Sequence, residues 1–511
     1  MYDIIIIGSG AGGATMAYRL ADTGKKILVI ERGDYVPVEK ENWNSVEVFQ
    51  KNRYTTKELW LDKYGKEFRP GMHYNVGGNT KFYGAALFRL REDDFKKIKH
   101  YGGISPEWPI KYEDLKEYYL EAEKLFHVHG KRGSDPTEPN ESEPYPYEAL
   151  PHEPRIQEIF DELTDYGLKP FELPIGVNFT PHKTINAPYT LDRFDGFPDA
   201  AERKADAHLC SLAKALEYPN VELMLNTKVI KLNTDESGTR ISEVVVEHEG
   251  ETKNLVGNLV ILSAGAINSA AILLQSKNEK FPNGLANSSD QVGRNYMFHQ
   301  NSAMVALFTE PNYTKFGKTF GINDFYRAGG EYEFPLGHIQ LLGKSDEFQI
   351  EADSPVPAPG FTFELMAKHA VDFWLTSEDL PDPENRVTVE ENGQIKISYT
   401  PNNEEGHELL KHELIKALKA SGKFHSFWFK GIYFSKGMSI ASPAHQNGTT
   451  KMGVDPENSV VDIHCKAHDL ENLYIVDGGF FVSSGAVNPA LTIIAMALRV
   501  GDHLKKNVLP S

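Results

Sequence analysis

The first thirty residues constrain this chain more than any other stretch. Asp3-Ile4-Ile5-Ile6-Ile7 is a short β-branched run that reads as a buried parallel strand. Gly8-Ser9-Gly10-Ala11-Gly12-Gly13 follows at once, with Gly8, Gly10 and Gly13 in a G-x-G-x-x-G frame. Ala14–Asp22 has helical composition, Gly24 stops it, and Lys26-Ile27-Leu28-Val29-Ile30 reads as a second strand. Glu31 ends that strand 18 residues after Gly13, close to the spacing of an acid that holds a ribose hydroxyl. Gly8 allows the tight turn, Gly10 lets a pyrophosphate approach the backbone, and Gly13 lets helix and sheet pack closely. The helix N-terminus then offers free N–H groups and a positive dipole end to the phosphates. A glycine-rich turn alone would be weak evidence. Strand, turn, helix, strand and acid in register mark a dinucleotide site, without separating NAD from FAD.

Composition narrows the class. The 511 residues suffice for two large domains or about three of ~150 residues. A net charge of −18 argues against a nucleic-acid or anionic-membrane surface. Two cysteines, Cys210 and Cys465, build no disulfide framework and fit a reducing, cytoplasmic setting. The first strand starts almost at Met1, so no secretory signal is expected, and no apolar run of ~18 residues predicts a membrane span.

Along the chain, Val76-Gly77-Gly78-Asn79-Thr80 pairs glycines with small polar residues, which allows close approach to a planar ligand. Tyr112–Phe126 predicts a helix with Tyr112, Leu115, Tyr119, Ala122 and Phe126 inward. His129–Pro154, rich in Pro, Glu, Gly and Ser, predicts an exposed loop with solvated acids, a lid or an oligomer contact. A helix is expected over Ala201–Leu216, a strand over Val221–Leu225, and an antiparallel hairpin through Val229–Leu232 and Ile241–Val246. Asn258–Ser263 reads as a buried strand that turns at Ala264-Gly265-Ala266 into a helix over Asn268–Gln275. Short strands are expected between Ala303 and Tyr399, including His338–Leu342 and Phe361–Met366, and then a helix over Glu404–Ala420. No second G-x-G-x-x-G is present, which argues against separate FAD and NAD sites.

The C-terminal third carries the reactive side chains. A loop over Ser442–Gly453 holds His445, and Leu473–Gly479 reads as a strand entering a turn at Asp477-Gly478. Asn488 and Pro489 then stand as N-cap and first residue of a helix over Ala490–Arg499. A loop histidine and a helix cap would need no chemistry. His464, Cys465 and His468 have a spacing that suggests a metal, but no fourth ligand is evident and no metal is expected.

Taken in order and spacing, the N-terminal turn, Val76-Gly77-Gly78, Ala264-Gly265-Ala266, His445–Gly453 and Asp477–Ala495 resemble the glucose–methanol–choline (GMC) family of FAD oxidoreductases over essentially the whole chain. The resemblance implies an α/β fold: a Rossmann-like FAD-binding domain from 1–95, 200–300 and 440–511, and an inserted α+β substrate-binding domain from 96–199 and 301–439. It implies that Gly8, Gly10, Gly13, Glu31 and Arg32 hold the ADP half of FAD, with Val229 presenting backbone to the adenine. Gly78, Asn79 and Thr80 would lie beside the isoalloxazine. Asp477 and Gly478, with Ala264, Pro489 and Thr492, would complete the cofactor set. Asn79-Thr80-Lys81-Phe82-Tyr83 resembles the pyranose oxidase and glycoside 3-oxidase branch. Members there often tether FAD through a histidine where this chain has Phe82, so FAD is expected to bind non-covalently.

His445 with Asn488 matches the sugar-oxidising pattern of that branch, and Gln300 matches a sugar-contacting residue. Oxidising an alcohol moves a hydride from C–H and a proton from O–H. A histidine with an ordinary pKa of ~6.5 accepts that proton near neutrality. Asn488 cannot titrate and would orient the hydroxyl, while the helix start at Pro489 would aim its positive end at the flavin. The expected reaction is oxidation of a secondary hydroxyl, C2 or C3, of a pyranose or glycoside to the ketone, with oxygen or another electron acceptor. Primary-alcohol oxidation in the same family and a non-catalytic FAD-binding subunit are the rivals. The partners are small molecules, with an oligomer possible.

Overall fold

Tyr2–Ile7 is the middle strand of a five-stranded parallel sheet, ordered Val221–Met224, Ile27–Ile30, Tyr2–Ile7, Gly257–Leu262, Leu473–Ile475 in the computed structural model. The described residues are 1–178, 193–199, 201–353, 359–420, 432–442 and 444–509. Both faces of this sheet are covered, which is why its strands are continuous apolar runs. Ile4, Ile5 and Ile6 are fully buried and Ile7 nearly so, each contributing roughly 1.5–3 kcal/mol of apolar burial. The helix Ala11–Leu20 returns across the sheet, with Met16, Ala17 and Leu20 buried against it. A meander of Thr227–Thr234, Ile241–His248 and Glu251–Leu255 leads back into Gly257–Leu262.

The second layer is a six-stranded antiparallel sheet, ordered Ile432–Gly437, Gln300–Leu307, Ala370–Ser377, His338–Leu341, Phe320–Ile322, Pro170–Glu172. Its strands alternate. Ile339, Leu341, Val371, Phe373 and Leu375 enter a second core with Leu410, Leu414 and Ala417 of the helix Glu404–Ala420 and Ile159 and Leu163 of the helix Pro154–Tyr166. The intervening residues face the other way, as the two-residue strand period requires.

Two links cross the boundaries expected from the sequence. Trp60–Asp62 pairs with Ile395–Ser398, and the Tyr119 hydroxyl lies 2.8 Å from that of Thr492. Three elements also differ from expectation. Phe361–Met366 is not a strand but part of a helix over Gly360–His369. Phe363 and Ala367, four apart, are buried while Phe361 and Leu365 are exposed, which is a helical face and not an alternation. Helical turns of the Ala201–Leu216 stretch begin only at His208, because the Asp199 carboxylate accepts the backbone N–H of Ala201, Arg203 and Lys204 and turns the chain first. The C-terminal helix runs past Arg499, covering Ala490–Asn507.

His129–Pro154 also departs from expectation. Three of its acids are not solvated: Glu138 pairs with Arg132 at 2.6 Å, Glu141 with Arg89 at 3.3 Å and Asp135 with Arg91, all essentially buried, and Arg132 also holds Glu123 at 2.7 Å, while Glu143 and Glu148 are exposed. Breaking one such pair costs about 3–5 kcal/mol. A segment held by several is a clasp and not a free lid. Among the described residues, no helix is long and apolar enough to cross a membrane.

Candidate active site

A cavity of about 840 Å³ runs from the N-terminal glycine turn to the polar face of the six-stranded sheet. At one end Gly8, Gly10, Glu31, Arg32 and Val229 line it, then Gly78, Asn79, Thr80, Ala264, Asp477 and Gly478, and at the other His445, Asn488 and Pro489. The turn works by what its glycines omit. Gly8 has φ +99°, and a Cβ on Gly13 would lie 2.0 Å from the Gly8 carbonyl, so Gly13 packs the helix and does not reach the cavity. A Cβ on Gly10 would meet nothing within 4 Å, which leaves that approach open to a ligand. Glu31 Oε2 accepts from Ser9 Oγ at 2.5 Å and Oε1 from the Gly33 N–H at 3.0 Å, while burial raises its pKa. A carboxylate carries about four acceptor sites, so capacity remains for a hydroxyl. Arg32 stacks 3.7 Å over Tyr74 and pairs with Glu58 at 2.5 Å. A bulge follows Val229 in its strand. Asp477 accepts from Ser269 Oγ at 2.5 Å and the Gly265 and Gly479 N–H groups at 3.1 and 2.8 Å, tying two strand ends together.

Asn488 does not cap the C-terminal helix. That helix starts at Ala490 behind Pro489 with no side-chain cap, and the Asn488 amide lies 3.1 Å from His445 Nε2. The protonation of this cluster follows from its partners. His299 Nε2 is 3.2 Å from the Ser484 carbonyl, which only accepts, so Nε2 carries the proton. Burial pushes the His299 pKa down to about 4, which keeps the ring neutral and its Nδ1 bare. His445 Nδ1 lies 2.8 Å from that atom and must donate to it. His445 Nε2 is therefore the bare nitrogen, and Asn488 Nδ2 donates to it. Burial, then the nearby His299 and Lys318, hold the His445 pKa well below the ordinary histidine value. Both histidines sit at positive φ, +57° for His445 and +69° for His299, a costly conformation outside glycine that the surroundings must impose.

Two expected site residues lie elsewhere. Gln300 does not line the cavity; its Nε2 donates to Tyr399 OH at 2.9 Å and Asp379 Oδ1 at 3.2 Å. Thr492 is fully buried on Tyr119 and also off the lining. Phe82 lies flat against His73, ring centroids 3.6 Å apart, and both line the cavity. His464 stacks on His503 at 3.8 Å, and His468 Nε2 lies 2.9 Å from Ser459 Oγ. The described residues contain no cluster of three or more His, Cys, Asp or Glu suited to a metal.

The sequence reading missed Asp195, Lys318, Gln340 and Trp374, which line the cavity. A signal existed for part of this: His338-Ile339-Gln340-Leu341 alternates polar with apolar, which aims Gln340 away from the core.

Comparison with known proteins gives the same frame. Models of the GMC oxidoreductase N-terminal and C-terminal domains match residues 192–301 and 393–497, and an NAD(P)-binding Rossmann-like domain matches 6–37. Paromamine 6'-oxidase of Streptomyces fradiae is 28% identical over 98% of this chain and 90% of its own length. Fructose dehydrogenase large subunit of Gluconobacter japonicus is 24% identical, over 98% and 97%. The crystal structure of pyridoxine 4-oxidase from Mesorbium loti superposes with TM-score 0.66 at 16% identity, over 98% of this chain and 99% of that one, a likeness of fold.

Proposed function

We take as premise that this chain belongs to the GMC oxidoreductase family, both of whose domains it carries, and we propose that it oxidises a secondary hydroxyl of a pyranose or glycoside, at C2 or C3, to the ketone. The carrying observation is the bare Nε2 of His445, beside Asn488, in a cavity continuous with the dinucleotide turn. The cavity fits FAD. The open approach at Gly10 would receive the pyrophosphate and Glu31 the ribose, with Arg32 and Val229 flanking the adenosine end. Gly78, Asn79, Thr80, Ala264, Asp477, Gly478 and Pro489 would line the flavin end. The discontinuous segments 1–95, 200–300 and 440–511 would form this FAD-binding domain, against a substrate domain of 96–199 and 301–439.

A flavin bound there supplies the hydride acceptor. The chain supplies the rest. His445 Nε2 takes the hydroxyl proton, a contribution of typically 10²–10⁴-fold. His299 holds the His445 tautomer that makes this possible. Asn488 Nδ2, which otherwise occupies the Nε2 lone pair, yields it to the substrate hydroxyl and turns its N–H to the hydroxyl oxygen. The free N–H groups at the start of the 18-residue helix Ala490–Asn507 present positive potential to the cavity.

The test is a panel of sugars and glycosides scored by anaerobic flavin bleaching, with the product's structure determined. A keto-sugar is expected. Bleaching by no sugar sinks the reading. An aldehyde would favour the second reading, primary-alcohol oxidation, which the names of two relatives, paromamine 6'-oxidase and the 6'''-hydroxyparomomycin C oxidase of Streptomyces lividus, support. Acid precipitation is expected to release all FAD into the supernatant, since Phe82 forms no tether. Flavin in the pellet would point to another, with His73 nearest.

A further inference from the structure

The sheet wall beside His445 has a polarity that can be worked out atom by atom. Gln340 and Trp374 are register partners on adjacent strands, so they stand side by side on one face, and both line the cavity. The Trp374 ring lies 6.5 Å from that of His445. Behind Gln340 a chain of buried groups fixes which end of its amide faces outward. Asp135, paired with Arg91, accepts from Asn323 Nδ2 at 2.8 Å. Asn323 Oδ1 is thereby the acceptor, and His338 Nδ1 donates to it at 2.6 Å. Burial and the nearby Arg91 charge push the His338 pKa down to about 3, so the ring is neutral and its Nε2 bare. The Gln340 Oε1 position lies 3.4 Å from that bare nitrogen, which would set an acceptor against a lone pair. Only an N–H can satisfy it, and amide nitrogen and oxygen exchange by a half-turn. The nitrogen therefore points at His338, and the carbonyl oxygen points into the cavity.

Lys318 supplies the opposite polarity. Its ammonium lies 2.8 Å from Asp195 Oδ1, and Asp195 Oδ2 accepts the Gly343 N–H at 2.5 Å. A Cβ on Gly84 would lie 2.0 Å from both Lys318 Nζ and Asp195 Oδ1, so the pair rests on the Gly84 backbone. An ammonium has three donors, and Asp195 occupies one.

We propose that this wall is the hydroxyl-recognition site: a neutral sugar ring packs on Trp374, one hydroxyl donates to the Gln340 carbonyl, and a second accepts from Lys318. The assignment rests on the sugar reading above and names the residues that choose among sugars. It replaces Gln300, whose amide is occupied elsewhere.

The test measures anaerobic flavin reduction by glucose, methyl glucoside and their monodeoxy forms. Wild type should prefer the parent sugar over a deoxy analogue by roughly tenfold at the Gln340-contacting hydroxyl, through KM. Gln340→Met should collapse that preference to about unity, and Gln340→Glu, which keeps an acceptor toward the cavity and, as the carboxylic acid, donates its O–H to His338 Nε2, should retain it. Lys318→Arg keeps the pair with Asp195 and should alter discrimination at a different hydroxyl, an arm that survives if Gln340→Met fails to fold. Unchanged discrimination in Gln340→Met overturns the Gln340 role. Collapse in both Gln340 variants overturns the polarity, and an unaltered pattern in Lys318→Arg overturns the Lys318 role. Reduction by sugars with any of these outcomes leaves the proposed function standing; reduction by no sugar removes it as well.

Discussion

At the Gly8–Gly12 turn the cavity wall is mostly backbone; at Gln340 and Trp374, paired on adjacent strands, it is side chain. The turn binds by omission, with glycines clearing room beside a helix end. The sheet wall works by neighbours: Gln340 is polar in any fold, but which end it offers depends on Asp135, more than two hundred positions away in sequence. The clasp over His129–Pro154 explains how that distance is bridged, because its buried ion pairs seat Asp135 beneath the sheet. A cradle of backbone tolerates no added atom once its ligand is seated; a wall of side chains tolerates exchange and so is where specificity can change.

The largest expected effect breaks the cradle. A Cβ on Gly12 would lie 1.8 Å from the Val476 carbonyl, backbone against backbone, so Gly12→Ala should lose folded, flavin-loaded protein altogether. Gly10→Ala should fold with an unchanged far-ultraviolet spectrum and yet hold flavin poorly, because its methyl enters only the ligand's space. Equal behaviour of the two variants would erase the distinction between packing and ligand glycines. Glu31→Ala should come next: loss of a charged acceptor costs about 1.5–3 kcal/mol, so FAD retention on dilution should weaken roughly tenfold to a hundredfold, with the reduction rate of loaded enzyme little changed. Unaltered retention would remove the ribose role.

The smallest expected effect lies between the two regions. His299→Asn should slow flavin reduction by roughly tenfold or less, as loss of one neutral hydrogen bond implies. The pH profile is the sharper readout. A base whose pKa is held down is active above that pKa, so wild-type reduction should stay level from neutrality to well below pH 6.5 before falling. In His299→Asn the acid limb should move up, because the neighbouring imidazole that disfavours a charged His445 is removed while burial remains. An unmoved limb would show that His299 does not set the base.

Much of the cradle was legible because its signals are local. Glycine spacing, a β-branched run and an acid at the strand end lie within thirty residues. His445 and Asn488 were legible only through the resemblance, and the physical reading of Asn488 as a cap was wrong because its amide is drawn to a ring nitrogen instead. Gln300 was expected from the resemblance alone, yet the strand turns it onto Asp379 and Tyr399. Lys318, Asp195, Gln340 and Trp374 come from separate strands and loops, and no spacing rule joins them. Asp135 and Glu141 looked solvated because their partners Arg91 and Arg89 lie 44 and 52 residues earlier.

One measurement bears on the base most directly: stopped-flow anaerobic reduction of His445→Ala by a sugar that bleaches the wild type. His445 sits in a loop and its partners are the side chains of His299 and Asn488, so the variant should keep its fold and its FAD. Reduction should fall by at least the ~10²-fold that general-base catalysis supplies, with a smaller loss at high pH, where the hydroxyl needs less help. A loss of less than about tenfold, or about 1.4 kcal/mol of barrier, in a variant that retains its flavin would mean that the proton goes elsewhere.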